Sequence, residues 1–371
     1  MPRTHEAVPI ITANYRPLRF VARGPLDQWA PTLEEINSRE YDYVKLHRMS
    51  TYVDVGIAPY SMGVCFDGTL VLPATPALRE RESSLALFNR TLAELLVGGI
   101  YCEAVTPDDV GYGSLSFTGY VRMHGGAGGD AATFHRAARS KHIGTLDVIS
   151  LLNPESIAVD DLQASVARGR ELLQRLGEIP REQLLYGATF YVRKQWAESL
   201  INIWTTTERL VEIAWQKYVV VAFGKPSKGR RAFLDDHRTW PVSAKLEVLL
   251  QKGMLPVSVL DTLDRVRKAR NDFAHRGAMP DHAVATSALD GCFQLASLCA
   301  SNFTSTTEFS EVTSLIQARC KPRLYPEKTK FSESEVSHWL PLPPLPGDKE
   351  WGDKPFEVLE DLVLKPVRDG A

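Results

Sequence analysis

The feature that most constrains this fold is a change of hydrophobic period near residue 190. Beyond that point apolar side chains recur every three or four residues, which is the spacing of one face of an α-helix. In the first such stretch the apolar positions are Trp196, Leu200, Ile203, Trp204, Leu210, Val211, Ala214 and Trp215. Similar spacing predicts helices over 242–250, over 256–275 and, after a capping Asp281, over about 282–303. This half of the chain therefore predicts an all-α bundle.

The preceding residues, 1–185, have a mixed pattern. Roughly the first 80 alternate β-branched and aromatic runs with Gly and Pro, and Asp67-Gly68 between two apolar runs predicts a β-hairpin. A strand is predicted over 115–121, and helices over the segments 84–101, 155–177 and 181–200. The glycine-rich segment 125–129 lacks the lysine and the spacing of phosphate-binding loops, so we predict a flexible connector there.

Together these patterns predict the α+β class, with a mixed N-terminal domain followed by a helical bundle. The predicted domains are residues 1–185, residues 190–305 and a proline-rich C-terminal extension over 306–371. The sequence gives the N-terminal domain no definite role. It could be a sensor or regulatory domain that recognises a partner protein, a ligand or an RNA.

Composition excludes some classes of function. The formal net charge is −2, so a nucleic-acid site would have to be a local patch. Five scattered cysteines without a close pair argue against a disulfide framework or a structural zinc site, and no cofactor or metal site is expected. The sequence shows neither a signal-peptide pattern nor an apolar run of membrane-spanning length, which predicts a cytoplasmic protein without a membrane partner.

The helix predicted over 256–275 ends in an unusual polar string, RNDFAH at 270–275. On a helical wheel one apolar face is shared by Val259, Leu260, Leu263, Val266, Phe273 and Ala274. Arg270 falls near the middle of that face, where a charge is costly unless it has a partner or a function. Asn271 and His275 are four residues apart and so are neighbours on the flank. Arg270 and His275 are separated by about 140° around the axis and roughly 7.5 Å along it. One copy does not easily direct both side chains at one phosphate, whereas two copies across a two-fold axis can.

An Arg-Asn-x-x-x-His string that ends a helix and is followed by glycine and another helix resembles the signature of the HEPN superfamily, and is most similar to its ApeA-like branch. The resemblance covers about 190–305 and does not extend to residues 1–185. The upstream helix LINIWTTTERLVEIAW resembles the first long helix of that family, in which Glu208 matches a frequently present glutamate.

The resemblance implies a helical bundle that forms homodimers or higher homo-oligomers and often acts as a metal-independent endoribonuclease of toxin or antiviral-defence type. Carried over, Arg270 would stabilise charge on the scissile phosphate. His275 would act as general base toward the ribose 2′-hydroxyl or as general acid toward the leaving oxygen. Asn271 would orient the phosphate or the histidine, and Glu208 would be a further site residue.

Structural alternatives remain open for each of these residues. His275 also fits the preference for basic residues at helix C-termini. Arg270 could pair with an acid of the upstream helix, such as Glu208 or Glu212. The basic loop 224–231 would contact an RNA backbone through Lys225, Lys228, Arg230 and Arg231, or would simply be a solvated charged loop. The other histidines show no ligand spacing and are assigned no role. A non-catalytic module for dimerisation or for nucleotide or RNA binding is the alternative to the ribonuclease.

Overall fold

A computed structural model describes residues 7–222, 224 and 226–320, apart from the side chains of residues 145 and 146. These residues belong to one compact unit spanning 1–321. Its N-terminal part combines a sheet with helices and its C-terminal part is helical, which confirms the predicted α+β class. The boundary predicted between 185 and 190 stays a prediction. The extension predicted over 306–371 lies mostly outside the described residues, which in this region end at 320.

An antiparallel six-stranded sheet forms the centre of the N-terminal part, in the spatial order β3-β4-β5-β1-β6-β7. Its strands are β1 (Val8–Ala13), β3 (Met49–Ile57), β4 (Tyr60–Cys65), β5 (Leu70–Pro73), β6 (Val110–Leu115) and β7 (Val121–Gly125). The hairpin predicted at Asp67-Gly68 is confirmed, because β4 and β5 pair across that turn. Gly68 has a φ of 83°, a left-handed conformation that glycine adopts without steric cost.

A smaller parallel pair joins β2 (Arg19–Ala22) to β8 (Glu155–Ala158). Two sequence predictions need correction here. The helix predicted from 155 begins only at 159, because the first four residues pair with β2. The strand predicted over 115–121 is instead the turn between β6 and β7, in which the backbone N–H of Ser116 donates to the carbonyl of Tyr120. A β-branched and aromatic pattern does not distinguish a strand from the tight turn that joins two strands.

Thirteen α-helices occur in the described part of the chain. They are α1 (Leu33–Asn37), α2 (Tyr43–Leu46), α3 (Arg81–Val97), α4 (Asp130–Arg139), α5 (Thr145–Leu152), α6 (Val159–Leu176), α7 (Arg181–Val192), α8 (Trp196–Trp215), α9 (Lys228–Leu234), α10 (Val242–Gln251), α11 (Val257–Arg276), α12 (His282–Ala300) and α13 (Ser310–Arg319). The helix predicted over 181–200 is two helices, α7 and α8. The predicted helices at 242–250, 256–275 and 282–303 are confirmed to within a few residues, and Asp281 caps α12 by accepting from the backbone N–H of Val284 at 2.9 Å.

One continuous apolar core runs from the sheet into the helices. It includes Leu72 of the sheet, Phe88 of α3, Leu173 of α6, Leu263 of α11 and Leu289 of α12, all nearly inaccessible to solvent. Within the bundle α8, α11 and α12 pack on one another, and α10 packs against both α8 and α11. This arrangement buries the apolar faces that the sequence predicts, and it leaves the C-terminal end of α11 at the edge of the bundle.

Helices α3 and α6 approach unusually closely through glycines. A Cβ atom at Gly169 of α6 would lie 1.7 Å from the carbonyl oxygen of Glu94 in α3, and one at Gly98 would lie 1.9 Å from the carbonyl oxygen of Ser165. Any side chain at either glycine would therefore force the helices apart. The contact fixes α6 and the following helices against the N-terminal part of the protein.

The glycine-rich segment after β7 is a short ordered loop rather than a free connector. The backbone N–H groups of Gly128 and Gly129 donate to the carbonyl of Asp108 at 2.8 and 2.7 Å. The helix α4 then begins, and the carboxylate of Asp109 accepts from the backbone N–H of Ala132 at 3.1 Å. A carboxylate of the protein thus occupies this helix N-terminus, which leaves it unsuited to a phosphate.

Helix α12 is long and apolar enough to meet a composition test for a membrane span, but 67% of that stretch is buried inside the protein. Its side chains pack against α8 and α11. It packs as a core helix of this protein.

Candidate functional site

The candidate motif lies on the last two turns of α11. The buried residues of this helix are Val259, Leu263 and Val266, which repeat at helical spacing and face the rest of the bundle. The helix ends at Gly277, whose φ of 68° is the left-handed conformation of a C-terminal cap, and the Gly277 N–H donates to the carbonyl of Phe273 at 3.0 Å. Glycine is needed at that position because it adopts this conformation without strain.

The buried stripe of α11 does not reach the motif, which corrects one detail of the helical-wheel prediction. Phe273 is only half-buried and Ala274 is exposed, although both fall on the apolar face. Arg270 is half-buried on the same face. The reason is that α11 extends past the helices that cover its first three turns. The charge of Arg270 therefore keeps contact with water and avoids the cost of full burial.

Arg270 has no acidic partner among the described residues. Its Nη1 donates to Oδ1 of the adjacent Asn271 at 3.2 Å. Two basic neighbours on α11 share one acid, since Arg267 and Lys268 both pair with Asp264 at 2.7 Å. Most donors of the Arg270 guanidinium thus have no partner among the described residues.

The acids considered as structural partners of Arg270 are engaged elsewhere. Oε1 of Glu208 accepts from the indole N–H of Trp204 one turn earlier in α8, at 2.6 Å. Glu212 accepts from the buried ammonium of Lys245 in α10 and from the amide of Gln216. Burial raises the pKa of Glu212, but these donors outweigh it and lower the pKa below its ordinary value. The structure therefore does not join Glu208 to the motif.

His275 is exposed on the final turn of α11, and the described residues give its ring no hydrogen-bond partner. Asp272, between the two motif residues, forms a solvent-exposed pair with Arg276 at 3.3 Å. Such exposed pairs contribute little to stability, on the order of 1 kcal/mol or less. Within one chain the motif is thus an open, polar helix end that supplies a cation, an amide and an imidazole without forming a closed pocket.

Part of the basic segment 224–231, which the sequence predicts to be a loop, is helical, because α9 begins at Lys228. Ser227 accepts from the backbone N–H of Arg230, so Lys228, Arg230 and Arg231 occupy the first turns of α9, all exposed. Arg231 pairs with Asp235 at 3.5 Å. Lys225, the fourth residue of this predicted patch, lies outside the described residues.

Sequence reasoning missed a second cluster of polar residues, which lies in the N-terminal part. Both carboxylate oxygens of Asp67 accept from Arg139, each at 2.7 Å, and Oδ2 also accepts from Nδ1 of His135 at 2.9 Å. All three side chains are almost completely buried. Burial raises the pKa of Asp67, but Arg139 and His135 outweigh it and hold that pKa well below its usual value. The signal available in the sequence was the spacing of four between His135 and Arg139, which puts both on one face of α4.

His135 also lines a cleft with a volume of about 650 Å³ between the segment before β2 and helices α4 and α5. Most small-molecule sites have volumes in this range, roughly 300–1,000 Å³. Among the described residues no group of three or more His, Cys, Asp or Glu side chains is placed to hold a metal ion.

Comparison of the chain with models of protein families, with curated proteins and with solved structures finds no match. The resemblance of residues 190–305 to the HEPN superfamily therefore depends on the motif and its helical setting alone.

Proposed function

We propose that the protein is a metal-independent endoribonuclease of toxin or antiviral-defence type, whose site is composed from two copies of the end of α11. The observation that carries the proposal is Arg270: a half-buried guanidinium with no acidic partner in the described residues, oriented by Asn271 and five residues before an exposed histidine. An unpaired cation at such a position suits an anionic ligand. A cytoplasmic location and an RNA substrate are part of this proposal.

The chemistry follows from the residue types. In the composite cleft the guanidinium of Arg270 binds the scissile phosphate and stabilises the negative charge that develops on its oxygens. His275 removes the proton of the ribose 2′-hydroxyl, whose oxygen attacks the phosphorus, or returns a proton to the departing 5′-oxygen. The products are a 2′,3′-cyclic phosphate and a 5′-hydroxyl. Residues Lys228, Arg230 and Arg231 would hold the RNA backbone, as would Lys225.

The requirement for two copies comes from helix geometry. Arg270 and His275 are about 140° apart around one helix axis, so a phosphate held by one side chain is out of line with the other. In a two-fold dimer both copies of α11 line one cleft. Arg270 of one copy and His275 of the other can then contact the same phosphate.

A second candidate, a non-catalytic HEPN-like module for dimerisation or for nucleotide or RNA binding, is favoured by one observation. Glu208 forms its hydrogen bond with Trp204 rather than with Arg270 or His275, so the fourth expected site residue takes part in packing. In this alternative Arg270 contacts the partner subunit or a nucleotide without any reaction.

The test is RNA cleavage by the purified full-length protein in EDTA, with mixed natural RNAs as substrates. The ribonuclease proposal expects cleavage with 2′,3′-cyclic phosphate ends, and a loss of at least about 100-fold in His275→Ala, as for other general acid–base residues. Glu208→Gln distinguishes a catalytic role of Glu208 from its role as the acceptor for Trp204, because the variant retains an acceptor and removes the charge. RNA that is bound but not cleaved would support the non-catalytic module.

A further inference from the structure

The cleft beside His135 has the features of a built binding site. Its lining includes Tyr15, Pro17, Leu18, Glu103, His135 and Asp147. They come from the segment between β1 and β2, from the loop after α3, and from α4 and α5. Because these elements are distant in sequence, the cleft forms only in the folded protein.

At this cleft the key side chain is His135, which is only 3% exposed. Its Nδ1 donates a hydrogen bond to the carboxylate of Asp67 at 2.9 Å and lies 3.3 Å from the hydroxyl of Thr69. Arg139 already neutralises Asp67 through two hydrogen bonds. The network therefore fixes the ring and leaves Nε2 without a partner among the described residues. In the tautomer with the proton on Nδ1, Nε2 is a hydrogen-bond acceptor.

The charges around the cleft are mostly negative. Glu103, Asp130 and Asp147 contribute three carboxylates, against the single guanidinium of Arg16, which pairs with Asp130 at 3.2 Å. Glu103 pairs with Arg193, which is not part of the lining, whereas no cation neutralises Asp147 in the described structure. Phosphates and carboxylates are therefore disfavoured here, and groups that donate hydrogen bonds or carry positive charge are favoured.

The walls are apolar. Pro17, Leu18 and Phe134 present hydrocarbon surface to the cleft, and the ring of Tyr15 adds to it. A ligand that fills the cleft thus needs a compact apolar or aromatic body in addition to a cationic group, since apolar walls around a few polar groups are the usual composition of small-molecule sites.

We propose that this cleft binds a small organic cation, an amine or amidine on an apolar body, whose N–H groups donate to Nε2 of His135 and to the carboxylate of Asp147. The proposal does not depend on the ribonuclease assignment, because none of its residues belongs to α11. A ligand here would give the N-terminal part the sensor role that its sequence left undefined.

Three probes of equal size test the proposal on the full-length protein: benzamidine, benzamide and benzoate, which are cationic, neutral and anionic. Binding is measured by titration calorimetry and ligand-observed NMR. We expect saturable binding of benzamidine, at least about ten-fold tighter than that of benzamide, with no saturable binding of benzoate. A ten-fold difference is what one charge-assisted hydrogen bond contributes.

Two variants connect the binding to this cleft. His135→Gln should weaken benzamidine binding about ten-fold, and Asp147→Asn should do the same while its side-chain oxygen still accepts from the Gly144 N–H. Asp147 lies at the half-exposed rim, so this variant stays informative if the buried substitution does not fold. Asp272→Asn, on α11, is the matched control and should bind benzamidine as the wild type does. Lack of saturable benzamidine binding, equal binding of the three probes, or unchanged binding in Asp147→Asn would overturn the proposal.

Discussion

Two regions of this protein use the same side-chain chemistry with opposite outcomes. In the N-terminal part an arginine and a histidine on α4 both donate hydrogen bonds to one carboxylate, and all three groups are buried. At the end of α11 an arginine and a histidine stand beside an amide, half-buried or exposed, and neither pairs with an acid among the described residues. The first region has its charges satisfied internally, and the second has donors left for another molecule.

The comparison shows that a short string of Arg and His does not by itself define a functional site. What distinguishes the two regions is whether an acid compensates the arginine. Asp67 compensates Arg139, whereas Arg270 has a hydrogen bond to Asn271 and no acidic partner among the described residues. The predictions below are designed to separate the two regions by experiment, beginning with the largest expected effect.

Removal of the buried cation should have the largest effect on stability. Arg139→Ala leaves the carboxylate of Asp67 buried without its cation, with only His135 and the backbone N–H of Thr69 as hydrogen-bond partners. Loss of one side of a buried ion pair costs about 3–5 kcal/mol. Arg270→Ala is the matched control and should change the free energy of unfolding by roughly 0.5 kcal/mol or less, because Arg270 keeps contact with water. Denaturant unfolding of both variants measures the difference, and similar losses in the two would contradict this contrast.

Acid should lower the stability that the N-terminal network contributes. The pKa of Asp67 is held below its ordinary value of 3.8, so the unfolded chain takes up the proton first. The stability that Asp67 contributes is present above that value and is lost as the pH falls below it, at up to about 1.4 kcal/mol per pH unit. Unfolding free energies measured at pH values of about 6, 5, 4 and 3 should show this fall.

Asp67→Asn provides the check on the source of that pH dependence. The variant should be less stable than the wild type at neutral pH, because Arg139 becomes a buried cation without an anion. Its stability should also fall less steeply with acid. Asp272→Asn, in the exposed pair with Arg276, should retain the wild-type slope. If Asp67→Asn retained that slope as well, another group would have to be its source.

A smaller effect is expected at the helix that follows the motif. Asp281 caps α12 through the backbone N–H of Val284, and Asp281→Ala should lower the free energy of unfolding by about 1 kcal/mol. Asp281→Ser retains an acceptor and should recover most of the loss. Because the cap is on the surface and distant from the N-terminal network, this variant should add its effect to that of Arg139→Ala. A strongly non-additive double mutant would indicate that the two regions are coupled.

The fold class and the helical half could be predicted because hydrophobic period determines which face of a helix is buried. Local pattern correctly predicts that Leu263 and Val266 lie on the buried face of α11 and that Asp281 caps α12. The strand at the start of the helix predicted over 155–177 could not be predicted. It forms because Glu155–Ala158 pairs with β2, which is more than 130 residues earlier in the chain. Local propensity carries no information on such distant pairing.

The candidate sites divide in the same way. The position of Arg270 on α11 follows from helix geometry, but its lack of an acidic partner depends on where α8 and α10 direct Glu208 and Glu212. The cluster at Asp67 could not be predicted as a whole, because Asp67 is about 70 residues before His135 and Arg139, although those two are four residues apart on α4. The pattern at Asp67-Gly68 predicts a turn. The second role of the Asp67 carboxylate, as acceptor for His135 and Arg139, depends on the packing of α4 against that turn.

Mixing two inactive variants tests the composite site most directly. Arg270→Ala and His275→Ala are purified separately, then denatured and refolded together, and RNA cleavage in EDTA is compared with that of each variant alone. The account predicts that wild type cleaves, that each variant is nearly inactive, and that the mixture regains part of the activity, because a heterodimer unites an intact arginine with an intact histidine across the two-fold axis. A cleaving wild type whose mixed variants show no more than the sum of their separate activities would contradict the shared site, and a wild type that cleaves none of the RNAs would contradict the ribonuclease itself.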